Sequence, residues 1–372
     1  MTTPQLLSVA EPRPRSRMSK PHRSLVLGAT GHVGGALARR LAGKGESLTL
    51  LVRDPARVPE ALGKAKLEKG SILDPNAIAR AASGADVMYV AVGAPPGADP
   101  GVYPWIYVAG IENAIAAARH AGVPRVVLIS SADVTLTSQD RIHWNEKRDI
   151  SELPFGDRAQ AIRLGEDIAL ALSDGAVGVS AIRPGWVWGP GDRAQLPELI
   201  REAKAGGITM WGEGRSLVAT SYVELVVDAA IAAARSPNAV GQAYYVADGE
   251  FLELREWLAI LARALGLPAA RSGTPFAVAW TLATMRGDTA LREKMLRRSK
   301  GTLFDTQKAQ VEIGLEPKVT VEQGMKALAQ WVESEGGLDA VAAMTRVLPD
   351  AAAIEAEAKA AGLTRPEKPK RR

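Results

Sequence analysis

Three glycines offer the first chemistry in this chain. In SLVLGATGHVGGALARRL, residues 24–41, Gly28, Gly31 and Gly34 follow a strand-like run and precede a helical segment, Ala36–Leu41, with an apolar face. The first N–H groups of a helix have no partner within it, and the helix dipole adds positive potential there. A phosphate can rest against them if no β-carbon intervenes, so glycines at Gly28 and Gly31 point to a bound pyrophosphate and hence a dinucleotide. Gly34 has another task, since a side chain there would push the helix off the sheet. A plain strand-turn-helix would also use glycine, but features downstream agree with the phosphate.

A second group of residues could carry protons. Ser131 ends the apolar run RVVLISS (125–131) and can donate a hydrogen bond to a carbonyl or hydroxyl; capping the strand end is its competing role. Tyr103 and Tyr107 open the helix after DVMYVAVG, while His143 and Lys147 lie in TSQDRIHWNEKRD, which reads as a loop. Ser131, Lys147 and Tyr103 form the candidate catalytic set, with surface or packing roles competing for the last two. The chain has no cysteine, and its four histidines (His22, His32, His120, His143) are scattered, so no metal site is expected.

The elements that must position these residues alternate. Ser47–Val52 is a continuous apolar run, as in a strand buried on both faces. Short strands are expected at Lys66–Glu68, Asp86–Gly93, Arg125–Ser131 and Val177–Arg183. Helices are expected at Asn76–Ala82, Trp105–Ala121 and Asp157–Ser173. This predicts an α/β fold, a doubly wound parallel sheet, with ligands beyond the carboxyl ends of the strands. Gly28, Arg53, Gly93 and Ser131 then fall along one crevice. At the end of the second strand Arg53 would accommodate a ribose 2′-phosphate and Asp54 would bind a free 2′-hydroxyl; the order of the two favours NADP, with NAD as the alternative. Beyond residue 192 helices dominate (Tyr222–Arg235, Leu252–Leu265, Ala277–Arg298, Val321–Glu335), with short strands at Gly207–Met210 and Ala243–Val246. The expected organisation is a disordered basic tail (1–23), a dinucleotide-binding domain (24–192), a smaller, mostly helical substrate lobe (193–348) with some elements returning to the sheet, and an exposed helix with a basic tail (349–372).

Charge narrows the partners. The chain carries a formal +5, but residues 1–23 and 363–372 each contribute +4, which leaves −3 for the body. A basic folded face is therefore not expected, and neither is nucleic acid. No apolar run approaches the roughly 20 residues that cross a bilayer, and QLLSV is too short for a signal-peptide core, so stable membrane insertion is not expected and cytoplasm is the default. FAVAWTLATMRGDTALREKMLRRSK, apolar then basic, reads as a cap helix followed by a solvated basic one, with a segment lying on anionic lipid as the alternative. A homodimer is compatible with all of this.

The motifs resemble the extended short-chain dehydrogenase/reductase superfamily, nearest its NAD-dependent epimerase/dehydratase and 3β-hydroxysteroid dehydrogenase-like branch. The resemblance runs over about residues 24–335 through GATGHVG (28–34), VRDP (52–55), GSILDP (70–75), ISSADV (129–134), IRPGWVWGPGDR (182–193), SYVELVVDAAIAA (221–233) and FDTQKAQVEIGLEPKVTVEQG (304–324). It implies a cofactor held by Gly28, Thr30, Gly31, His32, Val33, Gly34, Arg53, Ile72, Asp74, Val92, Gly93, Pro184 and Gly185, and a catalytic role for Ser131. The family's proton relay is a tyrosine four residues before a lysine, whose ammonium lowers the phenol pKa. No Tyr-x-x-x-Lys exists here. One register puts Phe155 and Ala159 at those positions, and the other puts Arg158 and Ile162. The resemblance thus implies an NAD(P)-dependent oxidoreductase acting on a hydrophobic ketone or alcohol through an atypical proton relay. The alternative is a redox-silent protein on the same scaffold: a cyclase, a dehydratase or isomerase, or a nucleotide-sensing module.

Overall fold

In the computed structural model, residues 22–148, 152–345 and 348–366 are described. The tails expected at 1–21 and 367–372 lie outside them. Seven strands form one sheet: β1 (Arg23–Leu27), β2 (Ser47–Val52), β3 (Lys66–Lys69), β4 (Val87–Val90), β5 (Arg125–Ile129), β6 (Gly178–Pro184) and β7 (Gln242–Val246). Their spatial order is β7-β6-β5-β4-β1-β2-β3, and all neighbours run parallel. The order reverses between β1 and β4, which opens a crevice at the carboxyl ends of both.

The helices, in chain order, are α1 (His32–Gly43), α2 (Pro75–Ala82), α3 (102–120), α4 (Asp157–Ala171), α5 (Leu196–Lys204), α6 (Val223–Arg235), α7 (Leu254–Leu265), α8 (Phe276–Met285), α9 (Thr289–Ser299), α10 (Gln307–Ile313), α11 (Val321–Ser334), α12 (Gly337–Ala343) and α13 (Ala351–Ala360). Side-chain alternation along the strands divides the core. Val26, Leu48 and Leu50 face α1 and α6, whereas Leu25, Leu27 and Leu51 face α2, α3 and α4. Local chemistry sets the ends. Asp74 caps α2 by accepting the Ala77 N–H at 3.0 Å, with Pro75 at the first helical position. Thr320 and Gln323 form a capping box on α11. Trp105–Ala109 within α3 is wound as a wider π-helix.

Three expectations change. The helical span expected over 277–298 is interrupted, with α8 in its apolar half and α9 in its basic half, because Gly287 turns the chain at φ +67° and Asp288 caps α9 by accepting the Leu291 N–H. The expected loop around His143 contains a strand, Arg141–Trp144, paired in parallel with Thr302–Phe304 from the helical lobe. α13, expected to be exposed, buries Ile354 and Ala358 in the core beside α3. No helix among the described residues is long and apolar enough to cross a membrane.

One buried ion pair fixes α4 to the sheet. Arg183 on β6 donates from Nε to both Glu166 carboxylate oxygens, at 2.9 and 3.1 Å, and also from Nη2. Both side chains are almost wholly buried. Removing one partner would leave an uncompensated charge, so Glu166→Ala is expected to lower stability by about 3–5 kcal/mol, read as a fall in the urea midpoint.

Candidate active site

A cleft of about 1070 Å³ runs along the carboxyl ends of the strands. At its centre the chain leaves β1 through Gly28, at φ +89°, where a β-carbon would stand 2.4 Å from the Ala91 carbonyl oxygen. A β-carbon at Gly34 would stand 2.2 Å from the Gly28 carbonyl oxygen, so α1 approaches the strand as closely as a glycine allows. The N-terminus of α1 has no side-chain cap and no acid in its first turn. Those free amides, with no β-carbon in front of them, fit a pyrophosphate. Thr30, Gly31, His32 and Val33 all line the cleft. Burial pushes the His32 imidazole below its ordinary pKa, so the ring is neutral at pH 7, and its Nε2 has no hydrogen-bond partner.

Toward β2 and β3 the cleft is lined by Arg53, Arg57, Ser71 and Ile72, and toward β4 by Val92 and Gly93. Asp54 accepts the Ala56 N–H at 3.0 Å, which spends its carboxylate on the turn Pro55–Arg57. Asp74, expected at the cofactor, is likewise spent on capping α2 and does not line the cleft. Arg57 escaped sequence reading because one arginine in an irregular turn carries no spacing signal. Ile354 and Pro349 line this end too, and Glu357 accepts a hydrogen bond from Ser71 Oγ. Pro184 and Gly185 close the opposite end of the cleft.

Near β5 the structure brings together a different set from the expected one. Ser131 lines the cleft, and its Oγ accepts the Asp133 N–H at 3.1 Å. Its own proton has no acceptor among the described residues. Tyr103 is buried outside the cleft lining and donates to the Pro95 carbonyl at 3.2 Å. Lys147 is exposed in a turn and does not line the cleft. Neither can serve as the proton carrier expected of it. Tyr107 does line the cleft, but its hydroxyl is bound to the backbone of Ala94, donating at 2.8 Å and accepting at 3.1 Å.

Of the two pairs, Arg158 and Ile162 face the cleft, whereas Ala159 is fully buried and Phe155 packs against Trp280 with ring centroids 5.6 Å apart. Arg158 donates from Nε to the Ala94 carbonyl at 3.2 Å and from Nη1 to Asp133 at 2.9 Å. Arg297 of α9 reaches the same carboxylate, with Nε 3.2 Å from each oxygen. Burial alone would push the Asp133 carboxyl up, but Arg297 and Arg158 hold it down at about 2. The remaining cleft wall includes an apolar strip of Trp186, Val187, Val218, Leu291 and Phe304, flanked by Glu198, Lys294 and Arg298.

A parallel sheet with this strand order, a bare phosphate turn at its switch point and a helical lobe over the cleft define a dinucleotide-binding Rossmann protein. Residues 28–194 match the NAD(P)H-binding family model. The chain is 29% identical over 326 residues to the 2-alkyl-3-oxoalkanoate reductase of Stenotrophomonas maltophilia, covering 82% of this chain and 97% of that protein. It is 28% identical over 323 residues to a 4-hydroxy-2-methyl-3-oxo-4-farnesyl-3,4-dihydroquinoline-1-oxide ketoreductase of Stigmatella aurantiaca, covering 83% and 96%. Its fold is similar to that of an epimerase from Methanothermobacter thermautotrophicus, with a TM-score of 0.70 at 19% identity over 85% of this chain and 93% of that one. The chain thus carries an NAD(P)H-binding domain, is similar in sequence to named ketoreductases, and is similar in fold to an epimerase.

Two outcomes follow from this geometry. The depressed Asp133 pKa contributes stability above the ordinary aspartate range near 4 that is lost as pH falls toward about 2. The stability gap between wild type and Asp133→Asn is therefore expected to be about 2 kcal/mol at pH 7 and to close between pH 4 and 2, measured by urea denaturation. Ile354→Asp would pull α13 off the cleft wall and is expected to weaken NADPH binding about fivefold in a fluorescence titration.

Proposed function

We propose that the protein is an NADP-dependent reductase of hydrophobic ketones. The observation that carries this is the bare cradle formed by Gly28, Gly31 and the uncapped N-terminus of α1, with Ser131 in the same cleft. Bound NADPH supplies a hydride to a carbonyl carbon. Arg53 and Arg57 favour the 2′-phosphate, because both line the cleft whereas Asp54, the competing ligand for a free ribose, does not. Ser131, with its proton unclaimed, hydrogen-bonds the carbonyl oxygen and passes it a proton drawn from cleft water. The apolar strip receives the alkyl portion of the substrate, and the named reductase and ketoreductase relatives support a ketone. Arg158 cannot relay the proton, since a guanidinium does not deprotonate in proteins.

The redox-silent alternative is favoured by one observation, the guanidinium of Arg158 and the sec-butyl side chain of Ile162 facing the cleft, neither of which can relay a proton. One experiment separates the two. Purified protein is expected to bind NADPH more tightly than NADH and to oxidise it in the presence of a medium-chain 3-oxo ester, with Ser131→Ala lowering kcat about 10²-fold. NADPH binding without turnover of any ketone would favour the silent protein. A lack of saturable binding of either coenzyme would overturn both.

A further inference from the structure

We propose that the substrate of this site carries a carboxylate close to its reacting carbon, and that Arg158 is the receptor for it. The inference rests on the reductase reading for the position of the reacting carbon, but its charge argument is independent. Arg141, Arg158 and Arg297 line this end of the cleft against two carboxylates, Asp133 and Glu293. Asp133 is shared by Arg158 and Arg297, and Glu293 pairs with Arg297. Of the neighbouring cations of α9, Arg292 has no ion pair among the described residues, but it lies over the Phe155 and Trp280 rings and does not line the cleft. The other two are balanced. Lys294 pairs with Glu198 and Glu202, and Arg298 pairs with Glu202. One positive charge of the arginine cluster is therefore left without a counter-ion.

Unused donors accompany that charge. Arg141 is only 4% exposed. Its Nη1 donates to the Ala132 carbonyl at 3.0 Å and to Thr135 Oγ1 at 3.1 Å, while its buried Nε has no partner. Arg158 uses Nε and Nη1, and its Nη2 has no partner among the described residues. A buried donor left unmade is costly, and a planar guanidinium held at two points presents its remaining N–H groups in a fixed direction. A carboxylate supplies both the missing charge and the acceptors. Since Arg158 is bonded to Asp133, two residues from Ser131, that carboxylate lies beside the carbonyl that Ser131 contacts. The apolar strip across the cleft, from Trp186 to Phe304, then takes the tail, so the occupant is an amphiphilic oxo or hydroxy acid.

The probe is 3-hydroxydecanoate against its methyl ester, each titrated calorimetrically into the full-length protein saturated with NADPH, a pairing in which no hydride can move. The acid is expected to bind at least about tenfold more tightly than the ester in wild type. Arg158→Gln is expected to reduce that preference to less than about threefold, and Arg158→Lys to restore part of it, with the NADPH affinity of both variants unchanged. Equal binding of acid and ester by wild type, or a preference that survives in Arg158→Gln, would overturn the carboxylate receptor. If wild type oxidises NADPH with neutral ketones yet shows no preference for the acid, the receptor falls and the reductase stands. If the acid is preferred but no ketone is ever reduced, the receptor stands and the reductase falls.

Discussion

The contact between Gly34 and the Gly28 carbonyl is the constraint on which the cleft depends. Any β-carbon at Gly34 would separate α1 from β1, and with that separation the uncapped amides of the helix would leave the carboxyl edge of the sheet. Gly28 itself sits at positive φ against the Ala91 carbonyl, so the loop after β4 packs directly on the phosphate turn. The same loop is held from the other side by the Tyr107 hydroxyl at Ala94 and by the Tyr103 hydroxyl at Pro95. Two tyrosines placed to suggest proton chemistry therefore serve the backbone. They fix a loop that no regular element supports.

Around Ser131 the organising interaction is electrostatic. Asp133 receives arginines from two parts of the chain that are far apart in sequence, Arg158 on α4 and Arg297 on α9. The carboxylate thus ties the sheet domain to the helical lobe directly at the cleft. The parallel pairing of Arg141–Trp144 with Thr302–Phe304 makes a second tie on the same side. Both links place the lobe over Ser131, while α13 crosses back to the β3 end of the sheet, with Ile354 buried beside α3. The outer wall of the cleft, at Arg297, Phe304 and Ile354, thus comes from beyond the strictly alternating part of the chain, while its floor comes from within it.

Periodicity made the sheet legible. Strands such as SLTLLV and VGVSAIR are buried on both faces and read as continuous apolar runs, and glycine spacing located the phosphate turn because a close backbone approach tolerates little else. Residues whose role comes from long-range geometry were harder. Asp74 matched a motif, but its carboxylate serves the Ala77 amide, a local cap that competes with any ligand role. Lys147 was close in sequence to the right helix, yet the turn that carries it faces solvent. The Asp133–Arg297 pair spans 164 positions, and no local pattern anticipates it. Ile354 was obscured because an Ala/Glu/Lys composition describes the exposed face of α13 and says little about the two residues on its other side.

Arg158 and Ile162, one helical turn apart on α4 and both facing the cleft, constrain each other. An ammonium at position 162 would stand one helical turn from the Arg158 guanidinium, and like charges at that spacing repel. Asp133, the carboxylate within reach, is already divided between Arg158 and Arg297. A second cation on α4 would have no counter-ion and would be desolvated against the apolar side of the cleft, a cost that an isoleucine avoids. With Arg158 fixed beside it, a lysine at position 162 would have no anion to pair with. The charge at Arg158 therefore accounts for the apolar residue at Ile162, one helical turn along the same cleft-facing side of α4.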